Sequence, residues 1–240
     1  MPNELQSELQ NAVGQARGIL EDLQRLGLGE VYSHPVGSVE TLSGPDTSLQ
    51  SIDDTLIKIE SDLDNCQRCS LASGRSNLVF GAGNPNAELV FIGEGPGEEE
   101  DRLGAPFAGE PGQLLDRIMN AMGMVRNDVY LCNIVKCLPP NHRYPDPNEI
   151  AACEPFLIRQ LESIRPKVIV TLGQFASQAI LKSDAPISKL RGKWQQYQGI
   201  SVMPTFHPAY LLQNPLAKRE VWTDMKDVLK LLNGDREDIC

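Results

Sequence analysis

The stretch that decides the fold reads ELVFIGEGPG over residues 88–97. Its first half is a short apolar run, typical of a strand that is buried on both faces of a sheet. Its second half is a loop whose glycines allow the backbone to approach a ligand closely. We therefore predict a buried strand over residues 88–92 that runs into a functional loop.

Three further strands are predicted from similar runs over residues 129–135, 167–172 and 200–205. Helices are predicted between and after them, near residues 111–123, 147–164, 174–182 and 217–232. This alternation predicts an α/β fold with a mostly parallel sheet that is covered on both faces. Ligands of such sheets bind beyond the carboxyl ends of the strands. Three of the four predicted strands run directly into unusual residues, which locates the site at that edge.

The chain carries a net charge of −10, which at first argues against a nucleic-acid partner because phosphate binding needs Lys and Arg. Residues 1–65, however, hold 12 of the 32 acidic residues and only three of the 22 basic ones. The remaining, nearly neutral body is compatible with DNA.

Three segments are expected along the chain. Residues 1–59 are predicted to form an acidic helix and a Ser/Gly/Pro linker, residues 60–234 the functional domain, and residues 235–240 an acidic tail. No apolar run approaches the ~18 residues of a membrane span. The first ten residues, MPNELQSELQ, lack the basic and apolar regions of a secretory signal. We therefore expect a soluble, cytoplasmic protein.

The cysteines predict a metal site. Cys66 and Cys69 form a C-x2-C pair, Cys137 follows the second strand, and Cys153 lies on the next helix. In a reducing compartment such cysteines indicate metal binding more often than disulfides. Four widely spaced thiolates suit an iron–sulfur cubane. Spacing alone leaves zinc and ordinary buried thiols open as alternatives.

Polar and aromatic side chains follow the predicted strands. Phe107, on a Gly/Pro loop, can offer its face to a flat ligand. Asn133 offers a donor and an acceptor together, enough to read one edge of a base, although a structural hydrogen bond is an equal alternative. His207 can donate to an anion. The acidic run at residues 98–101 would repel a nucleotide phosphate, so it is either a surface turn or part of a different ligand loop.

Taken together, these segments resemble the family 4 uracil-DNA glycosylases over about residues 60–232. The motifs that carry the resemblance are Cys66-x2-Cys69, GEGPG at 93–97, Pro106-Phe107, NIVKCLPP at 133–140, Cys153 and HPAYLL at 207–212. The resemblance implies a three-layer α/β/α sandwich with a short, mostly parallel sheet. It also implies a [4Fe-4S] cluster of structural role held by Cys66, Cys69, Cys137 and Cys153, whereas Cys132 is predicted to be core and Cys240 a free thiol.

The resemblance also assigns site residues. Gly93, Glu94 and Gly95 line the uracil pocket, Phe107 stacks on the base, Asn133 reads its edge, His207 contacts a uracil carbonyl and Glu100 is an acid that affects activity. The attacking water is expected to be oriented by Glu94 or by main-chain oxygens. The residues expected to contact DNA are Arg143, Arg191, Lys193, Tyr210 and Leu211. The family commonly has Asn directly before the Arg of its Pro-Pro loop, whereas this chain has His142 there.

The implied activity is hydrolysis of the N-glycosidic bond of uracil in DNA by a monomeric enzyme of base excision repair. The sequence has no lysine placed for Schiff-base chemistry, so a monofunctional enzyme that leaves an abasic site is predicted. The alternatives are a glycosylase for other deaminated bases, a protein that crosslinks to abasic sites, and a redox module. The crosslinking relatives carry a His within the segment that corresponds to residues 187–195, and this chain has none there.

Overall fold

The computed structural model describes residues 55–234. The predictions for the acidic arm before residue 55, for the tail and for Cys240 lie outside these residues. The described chain contains six strands: β1 (Ala82–Gly83), β2 (Leu89–Gly93), β3 (Tyr130–Asn133), β4 (Val168–Leu172), β5 (Gln195–Tyr197) and β6 (Ile200–Thr205).

The six strands form one sheet in the order β1-β3-β2-β4-β6-β5. The four central strands are parallel, and they correspond to the four predicted ones. The edge strands β1 and β5 pair antiparallel with their neighbours and were not predicted. Strands of two and three residues are too short to show the alternation of polar and apolar residues by which a strand is recognised.

Eight α-helices are described: α1 (Leu56–Leu63), α2 (Glu98–Leu103), α3 (Gly109–Ala121), α4 (Pro147–Ile164), α5 (Gln174–Leu181), α6 (Ile187–Leu190), α7 (Pro208–Gln213) and α8 (Lys218–Asn233). Short 3-10 helices span Ser70–Ser73, Pro140–His142 and Pro215–Ala217. Within residues 55–234, no helix combines the length and the apolar character needed to cross a membrane.

Two apolar layers lie on opposite faces of the sheet. Successive residues of a strand point to opposite faces, and in β2 Leu89 and Phe91 join one layer whereas Val90 and Ile92 join the other. Helices α3 and α8 cover the first layer, and α4 and α5 cover the second. The prediction of a three-layer α/β/α fold is confirmed.

A third, smaller apolar cluster fixes the segment that carries the first cysteines. Ile59 and Leu63 of α1 pack with Phe80 and with Phe156 of α4. Each of these four side chains is at most about one-twentieth exposed, so α1 is anchored firmly on the body of the protein. This contact brings the C-x2-C pair, which follows α1 directly, close to the part of α4 that contains Cys153.

Two local differences from the prediction concern the site. Strand β3 ends at Asn133 and not at residue 135, and the next two backbone N–H groups bond to the last residue of β2 and to the residue that follows it. Ile134 N–H donates to Gly93 O at 2.9 Å, and Val135 N–H donates to Glu94 O at 3.1 Å. The acidic run also forms α2, because Gly97 begins this helix and Gly104 ends it in the left-handed region, at φ 68°.

Candidate active site

A pocket of about 500 Å³ opens at the carboxyl edge of the sheet. Its lining includes seven of the residues that the sequence predicted for a site: Glu94, Gly95, Glu100, Phe107, Asn133, Arg143 and His207. They come from the loops after β2, β3 and β6, which meet because parallel strands all end at one edge of the sheet.

Gly93 was predicted to line the pocket but is not among its lining residues; instead, two side chains that do line it meet against Gly93. It pairs with Asn133 across β2 and β3. A Cβ atom at residue 93 would lie 2.4 Å from Asn133 Oδ1 and 2.8 Å from Phe107 Cζ. Both distances are too short for any side chain, so only glycine lets the amide and the aromatic ring converge on the same backbone.

Asn133 carries an unused hydrogen-bond donor. Its side chain is 2% exposed, and its Nδ2 is buried without a hydrogen-bond partner in the described part of the chain. A buried polar group that lacks a partner costs about 1–3 kcal/mol. Such a group in a pocket wall is explained by a ligand that supplies the missing acceptor.

His207 is a neutral donor in this pocket. It precedes α7, and its Nδ1 accepts a hydrogen bond from Ala209 N–H at 3.1 Å. The ring proton therefore lies on Nε2. Desolvation by the surrounding protein lowers the pKa of His207 to about 4, so the ring carries no charge at neutral pH.

The pKa of Glu94 is shifted in the opposite direction, also because of desolvation. Burial raises the pKa of its carboxyl group to about 7, so protonated and ionised forms coexist at neutral pH. A group poised in this way can accept a proton from a weak acid such as water.

Glu100 connects two loops of the pocket. Its carboxylate accepts hydrogen bonds from the backbone N–H groups of Gly97 and Phe107. Burial raises the pKa of Glu100, and these two hydrogen bonds oppose the shift. The carboxylate thereby holds the Gly93–Gly97 loop against the loop that carries Phe107.

The four predicted ligand cysteines line a single second cavity. Cys66, Cys69, Cys137 and Cys153 all contribute to its wall, whereas Cys132 does not. None of them forms a disulfide. Within residues 55–234, no group of three or more His, Cys, Asp or Glu side chains converges on one point where a single metal ion would fit. The four thiols thus line a small cavity, of about 10 Å³, without converging on one point.

Cations surround this cysteine cavity. Arg68 Nη1 lies 3.2 Å from Cys66 Sγ, and Arg75 Nη1 lies 3.3 Å from Cys137 Sγ. Lys136 lines the cavity, is fully buried, and donates from Nζ to the backbone carbonyl of Asn133 at 2.7 Å. Because a buried ammonium group needs a compensating anion, these cations suit four thiolates that carry negative charge.

Two of the predicted DNA-contacting arginines are engaged in ion pairs. Arg143 Nη1 and Nη2 donate to the Glu149 carboxylate at 2.8 and 2.6 Å, and this pairing lowers the pKa of Glu149 to about 2. Arg191 pairs with the buried carboxylate of Asp224 at 2.5 Å. Both arginines therefore stabilise loops, and their contact with DNA stays a prediction.

Leu211 requires a correction. It is fully buried in the apolar layer beneath α7, so it is not available to contact DNA in this structure. The sequence HPAYLL does not distinguish an exposed wedge from a helix, and here the helix α7 turns Leu211 inward. Tyr210 on the same helix is 44% exposed and packs against Phe206, and Lys193 is exposed. The roles of these two residues in DNA binding stay predictions.

Sequence reasoning missed three residues that support the site: Arg126, Lys136 and Glu149. Glu149 had a signal, because Asp146 and Glu149 have the spacing of a capping box and do form one at the start of α4. Lys136 had one as well, since a charge within the apolar run NIVKC is unusual. Arg126 had none, because its partners lie ten or more residues away in the chain.

Comparison with known proteins gives consistent matches. The family model for the "Uracil DNA glycosylase superfamily" matches residues 80–226. The chain is 44% identical to a type-4 uracil-DNA glycosylase of Saccharolobus solfataricus over 75% of this chain and 88% of that protein. It is 49% identical to a type-4 uracil-DNA glycosylase of Thermotoga maritima over 62% of this chain and 79% of that protein. A type-5 uracil-DNA glycosylase of Pyrobaculum aerophilum is 30% identical, over 62% of this chain and 80% of that protein.

Proposed function

This chain belongs to the uracil DNA glycosylase superfamily, and from that premise we propose that the pocket at the carboxyl edge of the sheet binds a uracil base turned out of DNA. The chain excises uracil from DNA, in keeping with its similarity to several type-4 uracil-DNA glycosylases. The observation that carries the proposal for the pocket is the buried Nδ2 of Asn133, which has no partner among the described residues.

Asn133 selects uracil through its amide. Uracil presents a carbonyl at C4 and an N–H at N3, which match the Nδ2 donor and the Oδ1 acceptor of Asn133. Cytosine presents the reverse pattern at these positions. Pairing cytosine with the same amide would leave buried polar groups unsatisfied, and sites built on such hydrogen bonds discriminate strongly.

Phe107 stabilises the base outside the DNA stack. Extruding a nucleotide costs a few kcal/mol because the base loses its stacking and pairing. The Phe107 ring lies at the wall of the pocket and can replace part of the lost stacking, which is worth about 1–3 kcal/mol per base on an aromatic ring.

His207 stabilises the leaving group. When the bond between C1′ and N1 breaks, its electron pair stays on uracil, which leaves as an anion, and the sugar becomes an oxocarbenium ion. His207 lines the pocket as a neutral imidazole with its proton on Nε2, so it can donate to the carbonyl oxygen on which this charge develops.

Glu94 completes the hydrolysis. Its ionised carboxylate accepts a proton from water while the water oxygen bonds to C1′, and this proton is then transferred to the departing uracil anion, so the products are an abasic sugar and neutral uracil. Lys136 does not serve as a nucleophile, because its Nζ is fully buried and bonded to the carbonyl of Asn133. We therefore propose a monofunctional enzyme. We also propose, as the family resemblance implies, that it is specific for uracil and acts as a monomer.

We further propose that the cysteine cavity holds a [4Fe-4S] cluster. Cys66, Cys69, Cys137 and Cys153 would ligate it, and the cations at Arg68, Arg75 and Lys136 would offset its negative charge. The cluster would supply a rigid link between these segments of the chain. Lys136 directly precedes the ligand Cys137, and its Nζ bonds to the Asn133 carbonyl. This bond would connect the cluster to the strand end at which Asn133 pairs with Gly93.

Asn133→Ala is expected to lower kcat/KM for uracil-containing oligonucleotide about a hundredfold. The variant loses both hydrogen bonds to the base, and bonds of this kind are worth about 1–3 kcal/mol each when buried. The measurement is release of free uracil, with formation of the abasic site as a second readout. Asn86→Ala changes an exposed asparagine on a turn and should match the unmodified protein. Near-normal excision by Asn133→Ala would contradict this recognition scheme.

The pH profile of kcat/KM is expected to fall as the pH drops through about 7, because the pKa of Glu94 is about 7 and only its ionised form accepts a proton. His207 adds no change down to a pH of about 4, since burial keeps it neutral above that value. Glu94→Gln should lose most of the rate and also the step near pH 7. A step that persists unchanged in Glu94→Gln would assign it to another group.

Anaerobically purified protein is expected to contain four irons and four sulfides per chain. Cys153→Ser should lose most of this iron, because it removes one thiolate from the cavity wall. Cys132→Ala is the matched control, since Cys132 is buried but lies outside the cavity, and it should retain the iron. Stoichiometric zinc without iron in the unmodified protein would overturn the cluster proposal.

A further inference from the structure

Phe107 adopts a backbone conformation that it does not favour by itself. Its φ of 52° lies in the left-handed region, which a residue with a side chain adopts only at an energetic cost. The ring is nevertheless 2% exposed and contacts the pocket. Surrounding groups must therefore hold this peptide in place.

Hydrogen bonds hold the Phe107 backbone on both sides. On the pocket side, the N–H donates to Glu100. On the opposite side, the Phe107 carbonyl accepts from Arg126 Nη2 at 2.6 Å, and the preceding Pro106 carbonyl accepts from Arg126 Nη1 at 3.0 Å. Gly112 of α3 makes room for this carbonyl, because a Cβ there would lie 1.7 Å from the Phe107 oxygen.

Asp116 of α3 fixes the Arg126 side chain. Its Oδ1 accepts from Arg126 Nε at 2.7 Å, and its Oδ2 lies 3.3 Å from Nη2. The guanidinium group thus makes bonds along one edge to a carboxylate and bonds along the other to two carbonyls. A planar group with five fixed donors can do this, whereas an ammonium group has no such fixed arrangement.

We propose that Arg126, set by Asp116, is a positioning residue that holds the Phe107 ring at the angle needed to stack on the extruded base. Arg126 does not line the uracil pocket, and its hydrogen bonds reach the pocket wall through the backbone of Phe107. Its charge also favours the ionised form of Glu100. The inference rests on the proposed role of the pocket. It adds a residue, on the other side of the Phe107 loop, that determines how well the Phe107 ring stacks on the base.

Arg126→Ala is expected to raise the Kd for free uracil and the KM for uracil-containing DNA by about tenfold or more, because the Phe107 peptide loses two charge-assisted hydrogen bonds. Binding of free uracil is measured by calorimetry and excision by release of the base. Arg117→Met is the matched control, since it removes an exposed guanidinium group from α3 and should leave both values unchanged.

Chemical rescue separates positioning from general stability. Arg126 lies on the wall of a surface pocket of about 370 Å³ that it shares with Asp116, so a small guanidinium ion can reach the space left in Arg126→Ala. Ethylguanidinium at millimolar concentration should restore uracil binding in Arg126→Ala, whereas ethylammonium at equal ionic strength should not. Phe107→Ala should respond to neither ion.

The outcomes are distinct. Unchanged uracil binding in Arg126→Ala overturns the proposal. So does a loss of uracil binding that is accompanied by a lower melting temperature and is not restored by ethylguanidinium. If Arg126→Ala does not fold, Asp116→Asn keeps the carbonyl bonds but removes the charge that orients Arg126, and it should give a smaller rise in the Kd for uracil. If the unmodified protein itself neither binds nor releases uracil, it is the proposed function that fails.

Discussion

The pairing of Gly93 with Asn133 at the ends of two adjacent parallel strands is the constraint on which the rest of the site depends. Because residue 93 has no side chain, the Asn133 amide and the Phe107 ring meet against the same stretch of backbone. The backbone N–H groups of Ile134 and Val135 then bind the loop after β2, which fixes the loop that contains Glu94. One position without a Cβ atom thus sets the relative placement of Asn133, Phe107 and Glu94 in the pocket wall.

The same physical effect gives the two titratable groups of the pocket their different roles. Desolvation disfavours the charged form of any group. It therefore lowers the pKa of His207 and raises the pKa of Glu94. At neutral pH the pocket therefore contains an uncharged donor, His207, and a carboxyl group, Glu94, that is about half ionised. These two states suit the proposed stabilisation of the leaving group and activation of water.

Much of the fold was predictable because the four central strands are buried on both faces and read as apolar runs. The helices α4, α5 and α8 began and ended within about one residue of their predicted bounds, since amphipathic spacing and a proline at the start of α4 mark them. The segments that escaped prediction depend on tertiary contacts. β1 and β5 are edge strands too short to leave a pattern, and α2 lies within a run of acids that is equally typical of a surface turn.

The site residues also divide into those that could be predicted from the sequence and those that depend on tertiary contacts. Asn133 and His207 lie at or just after the ends of buried strands and Phe107 lies on a Gly/Pro loop, but these positions alone left structural alternatives open, and the family resemblance supplied their predicted roles. The role of Arg126 and the burial of Leu211 could not be predicted, since they follow from which helix packs on which loop.

The most direct test of the central claim is a crystal structure of the protein with free uracil. We predict that Asn133 Nδ2 and Oδ1 bond to the C4 carbonyl and N3–H of uracil, with His207 Nε2 at the other carbonyl. Uracil bound elsewhere, or bound in this pocket without the Asn133 amide, would contradict the account.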